Sequence, residues 1–311
     1  MKCRIGVAGA GYIAGVHLKN LRRDERVEIS AIYDVDPSRR GETPAASYEE
    51  LLDRSDAVYI TAPNTKHVEY ALKAIAAGKH VFCEKPMATS LAGAKQVLDA
   101  AGAAKTLFQM GHNRRFTPVY KRVKELLKDS PAHCAHIKMN RGELLKPAWT
   151  GDDSVTGGFL YETPIHMFDM MRFQFGEIVS LDARMSQAND FSMLVEFASG
   201  MWATFVTSAD ASWFFPYERV EIFGKYSTVE TAEIESIRYR IGLESETMTE
   251  DFRDVPVEIR FGFEQEDRLF VDAVVNGGAP PVTALDGYRS VELVCACYQS
   301  AAQKRAIRFD V

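Results

Sequence analysis

The sequence predicts an α/β chain built in two parts: an N-terminal doubly wound parallel sheet, then an α+β domain with an open, mostly antiparallel sheet. Three observations point there. The chain has 311 residues, more than one hydrophobic core usually accommodates. Up to Gly111, short β-branched runs alternate with Ala-rich amphipathic runs, the pattern of parallel strands joined by covering helices. Beyond Asn113 the runs lengthen, alternate in polarity and follow one another with few helices between them, as in an antiparallel sheet. The break divides the chain into domains 1–113 and 114–311.

Taken in order, the first domain reads as strand Arg4–Ala8, helix Ile13–Arg23 and strand Val27–Tyr33, then a short helix capped by Ser47 and running to Asp53. Strand Ala57–Thr61, helix Lys66–Ala77, strand His80–Cys83, helix Ser90–Ala103 and strand Thr106–Met110 complete it. The second domain opens with helix Pro118–Lys128. Strands Ala135–Arg141, Val179–Met185, Asp190–Phe197, Met201–Ser208 and Arg219–Phe223 follow, with helices at Ile165–Phe175, Phe263–Asn276 and Gly287–Gln303. The polar segment Leu144–Gly158 is the candidate for a mobile loop that sets substrate choice.

Composition excludes several function classes. Net charge is −6 with both signs interleaved, so the basic face of a nucleic-acid binder is not expected. No apolar run is long enough to span a bilayer, and Met1-Lys2-Cys3-Arg4 leads straight into a strand pattern without a secretory signal. The cysteines, Cys3, Cys83, Cys134, Cys295 and Cys297, lack disulfide or zinc-site spacing. A cytoplasmic protein without a metal is the expectation.

The strongest motif is Gly9-Ala10-Gly11-Tyr12-Ile13-Ala14, a G-x-G-x-x-A between a strand and a helix, the dinucleotide-binding Rossmann context. Gly9 permits the tight turn, Gly11 lets a diphosphate approach the backbone, and Ala14 lets the helix pack closely. The helix N-terminus offers amides and partial positive charge to the phosphates. Asp34 ends the second strand, where a carboxylate accepts hydrogen bonds from the adenosine ribose. The same charge repels a 2′-phosphate by up to roughly 4 kcal/mol at 4 Å and an effective dielectric of 20, about a thousandfold in affinity. That favours NAD over NADP. Arg39 and Arg40 follow Asp34 and read as solvated charges, although either is able to meet a phosphate.

Glu84-Lys85-Pro86 follows the fourth strand, at the carboxyl edge where such folds bind ligands. Together with the fingerprint, Ala62-Pro63-Asn64-Thr65-Lys66-His67, Gly111-His112-Asn113-Arg114-Arg115-Phe116, Gly157-Gly158-Phe159-Leu160 and the C-terminal Phe270-Val271-Asp272-Ala273, it makes a recognisable series. The chain resembles the glucose-fructose oxidoreductase and inositol dehydrogenase family, Gfo/Idh/MocA, over nearly its whole length. The resemblance implies a Rossmann domain, a C-terminal α/β domain whose sheet often builds homodimers or homotetramers, and a sugar or polyol substrate. It places Asn64 near the nicotinamide ribose and Arg114 near the substrate, with His67 and Glu84 among the cofactor-side residues. Tyr161 and Trp149 are candidates to line the pocket. The family pattern D-x-G-x-H-x-x-D reads here Glu162-Thr163-Pro164-Ile165-His166-Met167-Phe168-Asp169. His166 and Asp169 match, whereas Glu162 and Pro164 replace aspartate and glycine. Either Thr163 caps a helix beginning at Pro164, or the proline kinks a helix already under way.

Roles follow from ordinary pKa values. A histidine, near 6.5, is mostly neutral at neutral pH and able to take a hydroxyl proton, whereas a lysine, near 10.4, is a cation. His166 is therefore expected as base, or as acid in the reduction direction. Lys85 would orient the hydroxyl and stabilise alkoxide character, and Glu162 would orient His166 or hold a neighbouring hydroxyl. The expected activity is hydride transfer between NAD and a secondary hydroxyl of a sugar or cyclic polyol. Two rivals are NAD-assisted elimination or hydrolysis at a glycosidic bond, and a non-catalytic NAD sensor.

Overall fold

The computed structural model describes residues 2–141, 151–187, 190–211 and 217–310. The chain forms two compact units. The first comprises Met1–Asn113, Ser154–Gly158 and Phe263–Val291, and the second Arg114–Asp153, Phe159–Gly262 and Glu292–Val311.

In the first unit, strands β1 (Cys3–Ala8), β2 (Val27–Tyr33), β3 (Ala57–Ile60), β4 (His80–Glu84) and β5 (Phe108–Gly111) make a five-stranded sheet in the order β2-β1-β3-β4-β5. Every pairing is parallel. The two sides diverge from β1, so the carboxyl ends of β1 and β3 mark the crevice at which the strand order reverses. Helices begin where the sequence supplies caps: Ser47 accepts from the Glu50 amide and Ser90 from the Gly93 amide. Sequence and structure differ over helix Phe263–Asn276. The sequence assigned it to 114–311, yet Phe270 and Val271 share a core with Ile5, Val7, Leu18, Leu21 and Tyr59 of the first unit. Phe270 meets Tyr59 and Phe82 edge-on at 5.4 and 5.7 Å, and those two rings stack at 4.4 Å. Burying one such ring stabilises by roughly 2–3 kcal/mol, which explains the helix's place on this sheet.

The second unit is built on a nine-stranded sheet. Its strands are β6 (Ala132–Met139), β7 (Ile178–Met185), β8 (Phe191–Phe197), β9 (Trp202–Thr207), β10 (Glu218–Gly224), β11 (Ser227–Ala232), β12 (Ser236–Ile241), β13 (Met248–Asp251) and β14 (Ile307–Arg308). They run in the order β13-β12-β11-β10-β6-β9-β8-β7-β14, antiparallel except for β6 beside β9. Inward Phe197 and Phe205 pack against Phe175 and Phe168 of helix Ile165–Phe175. Outward positions on β8 and β9 expose Leu194, Trp202 and Val206. Among the described residues no helix is long and apolar enough to cross a membrane.

Candidate cofactor cradle and catalytic residues

The first unit assembles most of the expected cofactor residues at one sheet edge. Gly9 follows β1 with φ +93°, and a Cβ there would lie 2.6 Å from the Cα and amide nitrogen of Ala62, so only glycine fits. Gly11 caps helix Tyr12–Leu21 in an extended conformation, without a side-chain cap on the helix. A Cβ built on Gly11 meets no protein atom within 4 Å, which leaves the approach to the helix amides open. Ala14 is buried in the core beneath this turn, Ile13 is half-buried, and Tyr12 is 88% exposed. Such a cradle fits a dinucleotide diphosphate.

Asp34 sits beside it. Its Oδ2 accepts from the Ala10 amide at 2.7 Å and its Oδ1 from the Asp36 amide at 2.9 Å, so the carboxylate is fixed before any ligand arrives. Arg39 faces Asp36 at 3.4 Å. Arg40 is anchored more firmly than a solvated charge, donating from Nε to the Asp34 carbonyl at 2.9 Å and lying over the Tyr33 ring. Replacing Asp34 with alanine is expected to erase up to about a thousandfold of discrimination against NADP, the Coulomb limit for one like-charge pair. Calorimetric titration with both nucleotides checks this, and an unchanged affinity ratio would remove Asp34 from the selection.

At the neighbouring strand ends, buried His67 sits between two main-chain carbonyls, with Nδ1 2.6 Å from Pro86 O and Nε2 2.8 Å from Ala62 O. Burial keeps its pKa below the usual histidine value, so the neutral ring donates to one of the two. His67 thus packs between the Ala62 loop and the turn at Pro86, with both ring nitrogens facing main-chain carbonyls. Thr61 Oγ1 donates to Gly9 O at 2.6 Å, which joins the glycine turn to the same loop. Asn64 is buried and donates to the Thr156 carbonyl at 2.9 Å. Lys85, half-buried, starts at the carboxyl end of β4, and its amide donates to Glu84 Oε2 at 3.0 Å. Glu84 itself is buried, a support for this edge.

The remaining expected residues lie in the second unit, so the proposed catalytic set is divided: Lys85 in one unit, Glu162 and His166 in the other. Glu162 ends a short helix, Phe159–Glu162, and His166 lies in helix Ile165–Phe175. Neither expectation for Pro164 is met as stated: two separate helices stand in place of one capped or kinked helix. Thr163 and Pro164 form a turn between the helices, no side chain caps the second helix, and the His166 amide donates to Thr163 O at 3.2 Å. The cause is Pro164, which has no N–H with which to continue the first helix.

Arg114, expected near substrate, is 6% exposed and engaged inside its unit. Its Nε donates to Glu218 Oε2 at 3.0 Å, its guanidinium covers the Phe261 ring, and Tyr120 Oη donates to the other Glu218 oxygen at 2.6 Å. This is the arrangement of a structural ion pair. Asp169 is likewise held, accepting from Nε and Nη2 of Arg115 at 2.8 and 2.6 Å. Tyr161 lies with its hydroxyl 3.1 Å from Cys295 Sγ, which favours packing over pocket lining. Trp149 and the rest of residues 142–150 lie outside the described residues. Among those described, no group of three or more His, Cys, Asp or Glu is placed to hold a metal ion. Contacts that sequence reasoning missed are those of Arg115 with Asp169 and of His17 with Asp267, whose partners are distant in sequence.

Comparison with known proteins agrees with this fold. Residues 3–112 match the family model described as an oxidoreductase family, NAD-binding Rossmann fold, and residues 131–309 match the model of its C-terminal alpha/beta domain. Myo-inositol 2-dehydrogenase of Thermotoga maritima is 26% identical over 99% of this chain and 98% of its own length. Two solved structures share the fold. One is a levoglucosan dehydrogenase in complex with NADH and levoglucosan (TM-score 0.90, 19% identity, 99% of each chain). The other is an oxidoreductase from Agrobacterium radiobacter in complex with NAD+, L-tartaric acid and magnesium (TM-score 0.87, 20% identity, 99% of this chain and 98% of that one).

Proposed function

The chain belongs to the Gfo/Idh/MocA oxidoreductase family, and on that premise we propose that it transfers hydride reversibly between NAD and a secondary hydroxyl of a sugar, cyclic polyol or sugar derivative. The observation that carries this reading is the placement of Lys85 at the carboxyl edge of the sheet that also bears the Gly9–Gly11 cradle and Asp34. NAD, when bound, supplies the hydride acceptor. The protein must then take the hydroxyl proton and stabilise the oxygen as the C–H bond breaks. Lys85 supplies a cation for the developing alkoxide, and His166 the base that accepts the proton. Glu162 orients His166 or a neighbouring hydroxyl. The near full-length relation to an inositol dehydrogenase supports a cyclic polyol as substrate.

A screen of NADH formation across inositols, hexoses and nucleotide sugars between pH 5.5 and 8.5 tests the reading. With His166 as base, the rate rises through about pH 6 to 7, and His166→Ala abolishes that rise while slowing turnover by about 10²- to 10⁴-fold. Binding of NAD without turnover of any such substrate would instead leave a nucleotide sensor.

We also propose that the outer face of the nine-stranded sheet meets a second copy of the chain. Leu194, Trp202 and Val206 are each more than a third exposed on adjacent central strands, an apolar surface suited to self-association. Trp202→Glu is expected to shift the sedimentation coefficient from oligomer to monomer, and an unchanged value would rule this face out. The described cysteines are unpaired with one another, in keeping with a reducing compartment such as the cytoplasm.

A further inference from the structure

Behind the carboxyl edge of β4 lies a buried polar chain that the proposed chemistry does not use directly. His17, on the same helix that Gly11 caps, is fully buried among Tyr59, Phe82 and Phe263, with ring centroids 5.4, 5.0 and 5.7 Å away. Its Nδ1 lies 2.7 Å from Asp267 Oδ1 and its Nε2 3.1 Å from Glu84 Oε1. The other Asp267 oxygen accepts from Asn20 Nδ2 at 2.8 Å, and the other Glu84 oxygen accepts from the Lys85 amide at 3.0 Å. Two carboxylates, acceptors only, face the two ring nitrogens, so both nitrogens carry hydrogen and the ring is an imidazolium. Burial opposes that charge, but Asp267 and Glu84 outweigh it and hold the His17 pKa well above its usual value. Burial likewise opposes the Glu84 carboxylate, and His17 with Lys85 nevertheless keeps its pKa low. The charged groups that face His17 are Glu84 and Asp267, with Lys85 next to Glu84 and the buried Glu266 next to Asp267.

We propose that His17 is a positioning residue for Lys85: it neutralises Glu84 from behind and fixes that carboxylate, which in turn fixes the backbone from which the lysine side chain starts. The chain of contacts runs from the cofactor helix through His17 and Glu84 to Lys85, so a shift at Glu84 displaces the ammonium group at the end of a long lever. Paired with His17, the Glu84 carboxylate shares its charge between the imidazolium and Lys85 rather than resting on the lysine alone. Without His17, an uncompensated buried carboxylate lies beside Lys85 and draws on its charge. The inference rests on the reading of Lys85 as the cation at the reacting hydroxyl, but its first measurement does not need a substrate.

The test uses His17→Gln and the double variant His17→Gln/Asp267→Asn, which removes one buried charge of each sign and keeps a foldable core if the single variant unfolds. Lysines are ¹³C-dimethylated, the Lys85 resonance is assigned by its loss in Lys85→Arg, and its titration is followed by NMR. Expected is a displacement of the Lys85 midpoint by about half a pH unit or more, with kcat lowered about tenfold or more and NAD affinity held within about threefold. A folded double variant whose Lys85 titrates as in the wild type overturns the proposal, because a purely structural His17 would change only the melting temperature. If no polyol or sugar is turned over by the wild type, the Lys85 titration still decides the positioning role, while the failure belongs to the proposed activity.

Discussion

Lys85→Ala is expected to bind NAD with nearly wild-type affinity and to turn over about 10²- to 10³-fold more slowly, the cost of removing one fixed donor from a developing oxyanion. The asymmetry follows from where the two functions sit. Diphosphate and ribose recognition belongs to the ends of β1 and β2, through Gly9, Gly11 and Asp34. Lys85 belongs to the end of β4, where its own amide donates to Glu84 and the His67 ring lies against the following Pro86 carbonyl. Removing its side chain leaves those backbone bonds in place, so neither the fold nor the cradle is disturbed. Lys85→Arg keeps the charge but not the reach of the ammonium, and should recover little of the rate. Stopped-flow NADH formation separates the step from NAD binding, followed by protein fluorescence. A rate within threefold of wild type in the alanine variant would deny Lys85 its role.

How far such residues could be read in advance depended on how local their signals are. The parallel sheet was legible because each strand and helix carries its own pattern, and Ser47 and Ser90 announce helix starts in the sequence itself. Helix Phe263–Asn276 was legible as a helix but not as part of the first unit, since an amphipathic stripe says which face is buried and not against what. The strands β11 to β13 escaped for two physical reasons. Being near the sheet edge, they carry outward charges such as Arg238 and Arg240 that obscure alternation. The hairpin into β11 turns at Lys225-Tyr226 with Tyr226 at φ +56°, where Asn-Gly would have been the expected signal. The Arg114–Glu218 pair could not be seen in advance because its members are remote in sequence, and the same holds for His17 and Asp267. Charge pairs closed by tertiary structure leave no periodic trace in a single chain.

The two glycines of the cradle should separate folding from binding. Gly11→Val is expected to melt within a few degrees of the wild type, because a Cβ at that position meets no protein atom within 4 Å and the backbone is extended. Its branched side chain instead fills the space over the helix amides, and NAD affinity should fall by at least about a hundredfold, roughly 3 kcal/mol lost as the phosphates are pushed from their donors. Gly9→Ala should fail in both respects. Its φ of +93° strains any side-chain-bearing residue, and the added carbon meets the Ala62 backbone at 2.6 Å, where nothing flexible is able to give way. The first variant is therefore the sharper probe: differential scanning calorimetry reports an intact fold while titration reports lost nucleotide. If Gly11→Val bound NAD as the wild type does, the dinucleotide would have to lie elsewhere, and the roles of Asp34, Lys85 and His166 would lose their common origin.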